Sequence, residues 1–473
     1  MQNAPASSSS SALQDAGHAV TAGGVPAHLR FRAMLSVMLA VAMATLDTAI
    51  ANTALPTFAA ALDTTAADSI WIVNAYQLTM VAAVLPLASL GEIAGHKRVC
   101  LAGLILFTLA SAACGFAWSL PSLVVFRGLQ GLGGAAMMAV NGAMIRFIAP
   151  PNRLGAMLGI NAMVVGSCFV IGPTVTSLVL AIAPWPWLFL FKLPICALAL
   201  YVGWTSLPNT ARAAHKFDSL ASVLCALMFG SLVLGLGEIS HGAPWQRVTA
   251  EWTISLACLI WLLRRQAEHP APMLAIDLFR RPLFALSSLT SVCAFATQGF
   301  AFVALPFLFQ HRLGRSAVEI GLLITPWPVV VAALGPIAGR LSDRYPAGLL
   351  GGIGLAVLAS GMVLMATMPA APSDWDIIWR MVWCGIGFGF FQSPNLNALM
   401  TSAPAHRSGA ASGIIATSRL TGQAIGTALV AACFLLSPEH GDIAAMWLGA
   451  AFSCVGCLAS FARLRVMRPG PTG

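Results

Sequence analysis

The chain of 473 residues is 58% hydrophobic and only 9% charged, with a mean hydropathy of +0.83. A soluble domain is roughly half apolar and a quarter charged, so a water-facing fold is excluded, and the net charge of +9 points to a lipid bilayer rather than to nucleic acid. Runs of ~20 apolar residues at 1.5 Å per helical residue match a hydrocarbon layer ~30 Å thick, and helices satisfy their own backbone groups there, which predicts an all-α polytopic membrane protein.

Residues 1 to 28 are rich in Ser, Ala and Gly, contain Asp15, and lack the basic start and apolar core of a cleavable signal, which predicts a disordered cytoplasmic tail. About fourteen spans follow, near 33–55, 70–90, 99–118, 120–145, 155–180, 186–206, 219–238, 248–263, 283–308, 317–339, 348–369, 377–401, 410–434 and 444–462. The eighth has a clean apolar stretch only from Trp252 to Leu263. It crosses by borrowing from the polar segment after Trp245, or else forms a re-entrant or surface helix. The expected units are a tail (1–28), a six-helix bundle (29–210), two linker helices (211–270), a second six-helix bundle (271–465) and a tail (466–473).

Charge placement is an independent check. With both termini cytoplasmic, the loops and ends on that side collect most of the bases, among them Arg30, Lys97, Arg98, Arg146, Arg264, Arg265, Arg340 and Arg463. Only Arg247, Arg312 and Arg315 fall outside, with Asp63, Asp374 and Asp442. Two charged hinges recur, LGEIAGHKR (Leu90 to Arg98) and GRLSDR (Gly339 to Arg344), each an acid followed by bases between membrane-length runs. That recurrence suggests a duplicated transporter body. The eleven cysteines are scattered. Cys454 and Cys457 share a helix face in an apolar span and read as packing, so no metal or cofactor is expected.

Further motifs follow in a fixed order. LDTAIANTALP (Leu46 to Pro56) closes the first span, WIVNAYQL (Trp71 to Leu78) opens the second, RGLQG (Arg127 to Gly131) lies in the fourth, and Gly172 with Pro173 in the fifth. HPAP (His269 to Pro272), LFRR (Leu278 to Arg281) and HRSGAASG (His406 to Gly413) with Arg419 occupy the second half. Over nearly the whole chain after the tail, this series resembles the major facilitator superfamily, specifically its fourteen-span drug:proton antiporter branch. There are departures. Ala88 and Ile93 stand where the first hinge usually has Gly and Arg, Glu92 replaces the usual Asp, and Cys168 stands where a further Gly is common, while Gly339, Asp343 and Arg344 keep the second hinge intact.

The resemblance implies two six-helix bundles related by a pseudo-twofold axis, with two extra helices between them, rocking about a midplane cavity. It also implies a multi-pass protein of the bacterial inner membrane, a monomer, that exports lipophilic cationic drugs or biocides in exchange for protons.

Asp47 is the most informative residue for such a pump. Counting about 14 residues from the inner end of span one places it ~21 Å up, and an acid at that depth costs on the order of 3 kcal/mol unless it faces the bundle interior with a partner. Arg127, about 7 residues below the outer end of span four, shares that depth. Desolvation favours a protonated Asp47 and the guanidinium opposes it, so proton occupancy would follow which side is open. Glu92, Lys97 and Arg98, with Asp343 and Arg344, would latch the inner face shut. Gly172 and Pro173 would bend the fifth helix and seal the cavity against proton leak.

Candidate substrate contacts are Asn52, Tyr76, Gln130, Phe295, Gln298, Phe302, Phe391, Gln392, Asn395 and Arg419. Ring faces attract lipophilic cations without demanding one shape, and an amide in hydrocarbon points inward. Arg419 is expected to pair with backbone or amide oxygens, whereas Lys192 and Arg380 would snorkel at the outer boundary. No histidine lies in a clear span, which argues against a histidine relay. Without a phosphate-binding loop or a nucleophile and base pair, neither ATP hydrolysis nor a membrane enzyme is indicated. Two alternatives remain: an exporter of an endogenous metabolite, amino acid or siderophore, and a non-transporting membrane sensor.

Overall fold

A computed structural model describes residues 27–150, 154–210, 218–239, 244–266, 276–342, 344–402 and 408–466. Of the predicted tails, residues 1–26 and 467–473 lie outside these residues, as do the HPAP motif and Asp343 of the second hinge, while α1 already begins at Ala27. The helices are α1 (Ala27–Ala61), α2 (Trp71–Ala94), α3 (His96–Gly115), α4 (Leu120–Ile148), α5 (Leu154–Ile182), α6 (Trp187–Ser206), α7 (Ser219–Ile239) and α8 (Trp245–Gln266). They continue with α9 (Pro282–Phe307), α10 (Ala317–Ser342), α11 (Ala347–Ala366), α12 (Asp374–Ser402), α13 (Ser408–Leu436) and α14 (Gly441–Val466).

Helix boundaries follow local chemistry. Ser119 and Ser122 form a capping box before α4, with Pro121 in its first turn, and Ser316 and Glu319 cap α10 in the same way. The first charged hinge is a one-residue break. Gly95 takes φ of 99°, a conformation costly for residues with a Cβ, and lets α3 restart immediately after α2.

Ten of the described helices are long and apolar enough to cross a membrane, and eleven if the bent pair Met163–Phe169 and Ile171–Ile182 within α5 is one span. The sequence count of about fourteen also includes α7, whose apolar part Ser219–Gly235 is shorter, and α8 and α12, which carry charges. α12 opens with Asp374, Asp376 and Arg380, and α8 carries Arg247, Glu251, Arg264 and Arg265. The doubtful eighth segment is a continuous 22-residue helix that takes in the polar stretch after Trp245. It packs on α7, where Ser255 Oγ donates to the Met228 carbonyl at 2.8 Å and Arg265 pairs with Asp218 at 3.0 Å. Trp252, Ile254, Leu256, Ile260 and Trp261 remain exposed on the outside, as apolar side chains facing lipid do.

Within the first half, α4 packs against α2 and α3, and α1 against α5 and α6; within the second, α12 packs against α10 and α11, and α14 against α9 and α11. The duplication suggested by the hinges has a packing counterpart. After the first hinge, α3 and α4 cross where a Cβ on Gly133 would lie 2.8 Å from the Gly103 carbonyl. After the second, α11 and α12 cross where a Cβ on Gly387 would lie 2.8 Å from the Gly354 carbonyl. Each crossing thus requires glycine to bring two backbones together.

The halves meet through α1 with α9, α2 with α13, and α5 with α10. The last contact seals one end. Ser177 Oγ donates to the Val318 carbonyl at 2.9 Å, Thr174 and Thr325 hydroxyls meet at 3.0 Å, and a Cβ on Gly321 would strike both Ser177 and the Pro173 carbonyl. Arg312 pairs with Asp442 at 2.8 Å, and Arg315 with Asp374, so four predicted outer-loop charges pair locally. α5 bends by 42° between Phe169 and Ile171. This is where the ring of Pro173 would clash with the carbonyl four residues earlier, that of Phe169.

Candidate functional site

Two polar centres occupy the interior. The first lies within the first half, where α1, α4 and α6 converge. Asp47 is 1% exposed, and Arg127 and Lys192 are fully buried. Arg127 Nη1 donates to Asp47 Oδ2, Lys192 Nζ donates to Asp47 Oδ1, and Gln130 Nε2 donates to the same Oδ1 at 3.0 Å. The Gln130 Oε1 accepts from Arg127 Nη1 at 2.6 Å, and Arg127 Nε donates to the Ile72 carbonyl at 3.0 Å. The guanidinium stacks 4.4 Å from the Tyr76 ring centroid, and the Lys192 ammonium lies 5.1 Å from that of Phe189. Two formal positive charges therefore share one carboxylate away from water.

Asp47 and Arg127 meet as their depths suggested, and Gln130 and Tyr76 join them in this cluster rather than on a cavity wall. Lys192 corrects the expectation of a snorkelling side chain. A partner within reach in the interior outweighs a route to the headgroups, because a desolvated cation needs a counter-charge. The signal was present in WPWLFLFKLP, a lysine inside an apolar run. Arg380 is also mostly buried. It pairs with Asp376 at 3.2 Å, caps the Leu364 carbonyl and lies 5.1 Å from the Trp379 ring.

The second centre is a cavity of about 260 Å³ between the halves. α5 supplies Asn161, Val165 and Phe169; α9 supplies Ser291, Phe295 and Gln298; and α10 supplies Trp327 and Val331. α12 contributes Phe388, Phe391, Gln392 and Asn395, and α13 contributes Arg419. Phe295, Phe388 and Phe391 form an edge-on trio with centroids 5.5, 6.3 and 5.7 Å apart. Gln423 Nε2 donates to Gln298 Oε1 at 3.1 Å, and Thr427 on the same helix reaches Gln77 of the first half at 3.3 Å.

Of the ten predicted contacts, Phe295, Gln298, Phe391, Gln392, Asn395 and Arg419 line this cavity. Phe302 instead packs against Trp327, with centroids 5.4 Å apart, and Asn52 is buried away from the lining. Asn161, Trp327 and Gln423 were not anticipated, since single polar or aromatic residues in spans carry no periodic signal.

Arg463, counted with the cytoplasmic charges, lies in the last turn of α14. It is fully buried and donates to Asn395 Oδ1 at 2.7 Å and Ser287 Oγ at 3.0 Å, so its side chain turns toward α9 and α12 and not to the headgroups. Arg419 corrects a second expectation: among the described residues it makes no hydrogen bond or ion pair with backbone or amide oxygens. No acid lines the cavity among the described residues, so the groups there that attract a cation are the ring faces and amide oxygens.

Of the latch residues, Lys97 is held within its own half. Lys97 Nζ donates to the Trp204 carbonyl at 3.0 Å, and Glu92, Arg98 and Arg344 are exposed. The seal between α5 and α10 lies at the opposite end.

Comparison with known proteins agrees with this architecture. The Major Facilitator Superfamily pattern matches residues 37–427. The chain is 43% identical over 452 residues to an uncharacterized transporter, YebQ, of Escherichia coli K12, covering 95% of this chain and 98% of that protein. It is 30% identical over 426 residues to the multidrug resistance protein Stp of Mycobacterium tuberculosis, covering 88% and 76%. Among solved structures, a bacterial homologue of the human lysosomal transporter Spinster, inward-facing and unoccupied, superposes with a TM-score of 0.67 at 14% identity over 94% of this chain and 100% of that one. With its helices, its duplicated hinges and its interior cavity accounted for, the chain belongs to the Major Facilitator Superfamily and is a multi-pass membrane transporter.

Proposed function

We propose that this transporter exports lipophilic, ring-bearing small molecules in exchange for protons, by alternating access between two bundles. The observation that carries the reading is the cavity built jointly by α5 of the first half and α9, α10, α12 and α13 of the second, beneath a seal formed by α5 and α10. A site walled by both halves is exposed to one side or the other as they rock. The resistance relative supports export of drug-like compounds. The aromatic trio supports lipophilic cargo, because ring edges and faces adapt to many shapes.

The proton in this reading is exchanged at Asp47. Lys192 and Arg127 hold its carboxylate in the present conformer, and rearrangement of α1, α4 and α6 changes how many cations face it. The hinge at Glu92, Lys97 and Arg98, with Asp343 and Arg344, closes the opposite end in the other conformer, and the bend before Pro173 adjusts α5 to each. The inner membrane, with both termini cytoplasmic, is the setting that the charge distribution favours.

The test is the paired variant Asp47→Asn with Lys192→Met, which removes the carboxylate without adding net buried charge. In energised inverted vesicles it should abolish proton-driven dye movement while the purified protein still elutes as a single folded species. Dye movement and substrate-triggered proton release at wild-type rates in this variant would overturn the assignment of Asp47.

A further inference from the structure

We propose that the cavity takes an amphipathic anion, with Arg419 as the anchor for its carboxylate or equivalent negative group. This rests on the transport reading above and names its substrate class. Arg419 is the one charged side chain among the cavity's described lining residues. It is partly buried on α13, its exposed surface opens into the cavity, and no described residue offers it a hydrogen bond or a counter-ion. A guanidinium in a membrane-spanning segment without an acid is costly and persists where it lines a water-filled path or meets a ligand. Its planar fork of donors matches a carboxylate in two-point geometry.

The surroundings carry the same sign. Asn395 lines the cavity, and its Oδ1 accepts from the fully buried Arg463 at 2.7 Å, whose other partners among the described residues are the Ser287 and Ser460 oxygens. Two cations thus bear on this wall, one directly and one through an amide, and no described acid balances either. In the same lining, Phe295, Phe388 and Phe391 present rings. The complement of this surface is a ring-bearing body with a negative end. A cation would meet like charge and find no carboxylate.

Three matched probes separate charge from shape: 4-(1-naphthyl)butyrate, 4-(1-naphthyl)butanol and 4-(1-naphthyl)butylamine, bound to the purified full-length chain at pH 7 without a gradient. The butyrate should bind at least about tenfold more tightly than the amine, as expected for a charge-assisted contact. Arg419→Gln should weaken the butyrate about tenfold and leave the butanol unchanged, which also reports an intact cavity, and Arg419→Lys should keep the butyrate preferred. Equal binding of amine and butyrate, loss of all three probes together in Arg419→Gln, or no butyrate binding would each overturn the proposal. Movement is then measured separately in energised inverted vesicles. A butyrate preference without proton-driven movement would remove the export reading and leave the anion site. Movement of all three probes alike, insensitive to Arg419→Gln, would leave export and remove the anchor.

Discussion

Asp47 sits between Arg127 and Lys192, so neutralising it leaves two buried cations without a counter-charge. Breaking a buried pair costs about 3–5 kcal/mol because the orphaned charge stays desolvated. Asp47→Asn alone should therefore lower the thermal midpoint of the detergent-purified protein measurably, and adding Lys192→Met should recover most of that loss. If the single variant melts at the wild-type temperature, the cluster does not store the electrostatic stabilisation that its burial implies. The pairing of Asp47 with Arg127 was legible in the sequence, because counting residues along two antiparallel helices fixes relative depth. Lys192 was not, because residue counting gives depth along a helix but not rotation about it.

At the scale of elements, the crossing of α5 and α10 depends on Gly321, where a Cβ would strike the Pro173 carbonyl and Ser177. Gly321→Leu should prop this end apart. Overpacking costs about 1–3 kcal/mol, enough to slow transport about tenfold or more by disfavouring the sealed conformer, while surface expression remains. Transport at the wild-type rate in this variant would mean the seal is not part of the cycle. The bend of 42° in α5 gives a second expectation. Pro173→Ala restores a backbone donor and removes the clash with the carbonyl of Phe169, so α5 should straighten. The measurable result is an increased passive proton leak in proteoliposomes, with little change in the melting temperature. An unchanged leak would assign the bend to packing alone.

For the whole molecule, the excess of bases at one end sets orientation. Fusions of a fluorescent protein and of an alkaline phosphatase after Gly473 should be bright and inactive, respectively, in bacterial cells. The reverse result would invert the topology and, with it, the sense of the seal between α5 and α10. The same fusions placed after Ile239 and after Gln266, the ends of α7 and α8, would report whether this hairpin crosses twice, since its pairing through Asp218 and Arg265 brings the start of α7 and the end of α8 together and leaves Ile239 at the opposite end.

Composition, apolar run length and the order of motifs were sufficient for an all-helical membrane transporter with a duplicated body, because the bilayer leaves few ways to satisfy a backbone and each way leaves its mark on the sequence. The paired hinges marked the duplication, and Phe295, Gln298, Phe391, Gln392, Asn395 and Arg419 were recognisable as polar or aromatic residues in spans. Only tertiary structure decided which charges meet. It drew Lys192 and Arg463 inward, left Arg419 without a partner among the described residues, and left the cavity wall with no described acid to receive a cation. The physical reason is that hydropathy records how much apolar surface a helix carries, whereas the sign of a cavity depends on the rotation and tilt of five helices drawn from both halves of the chain.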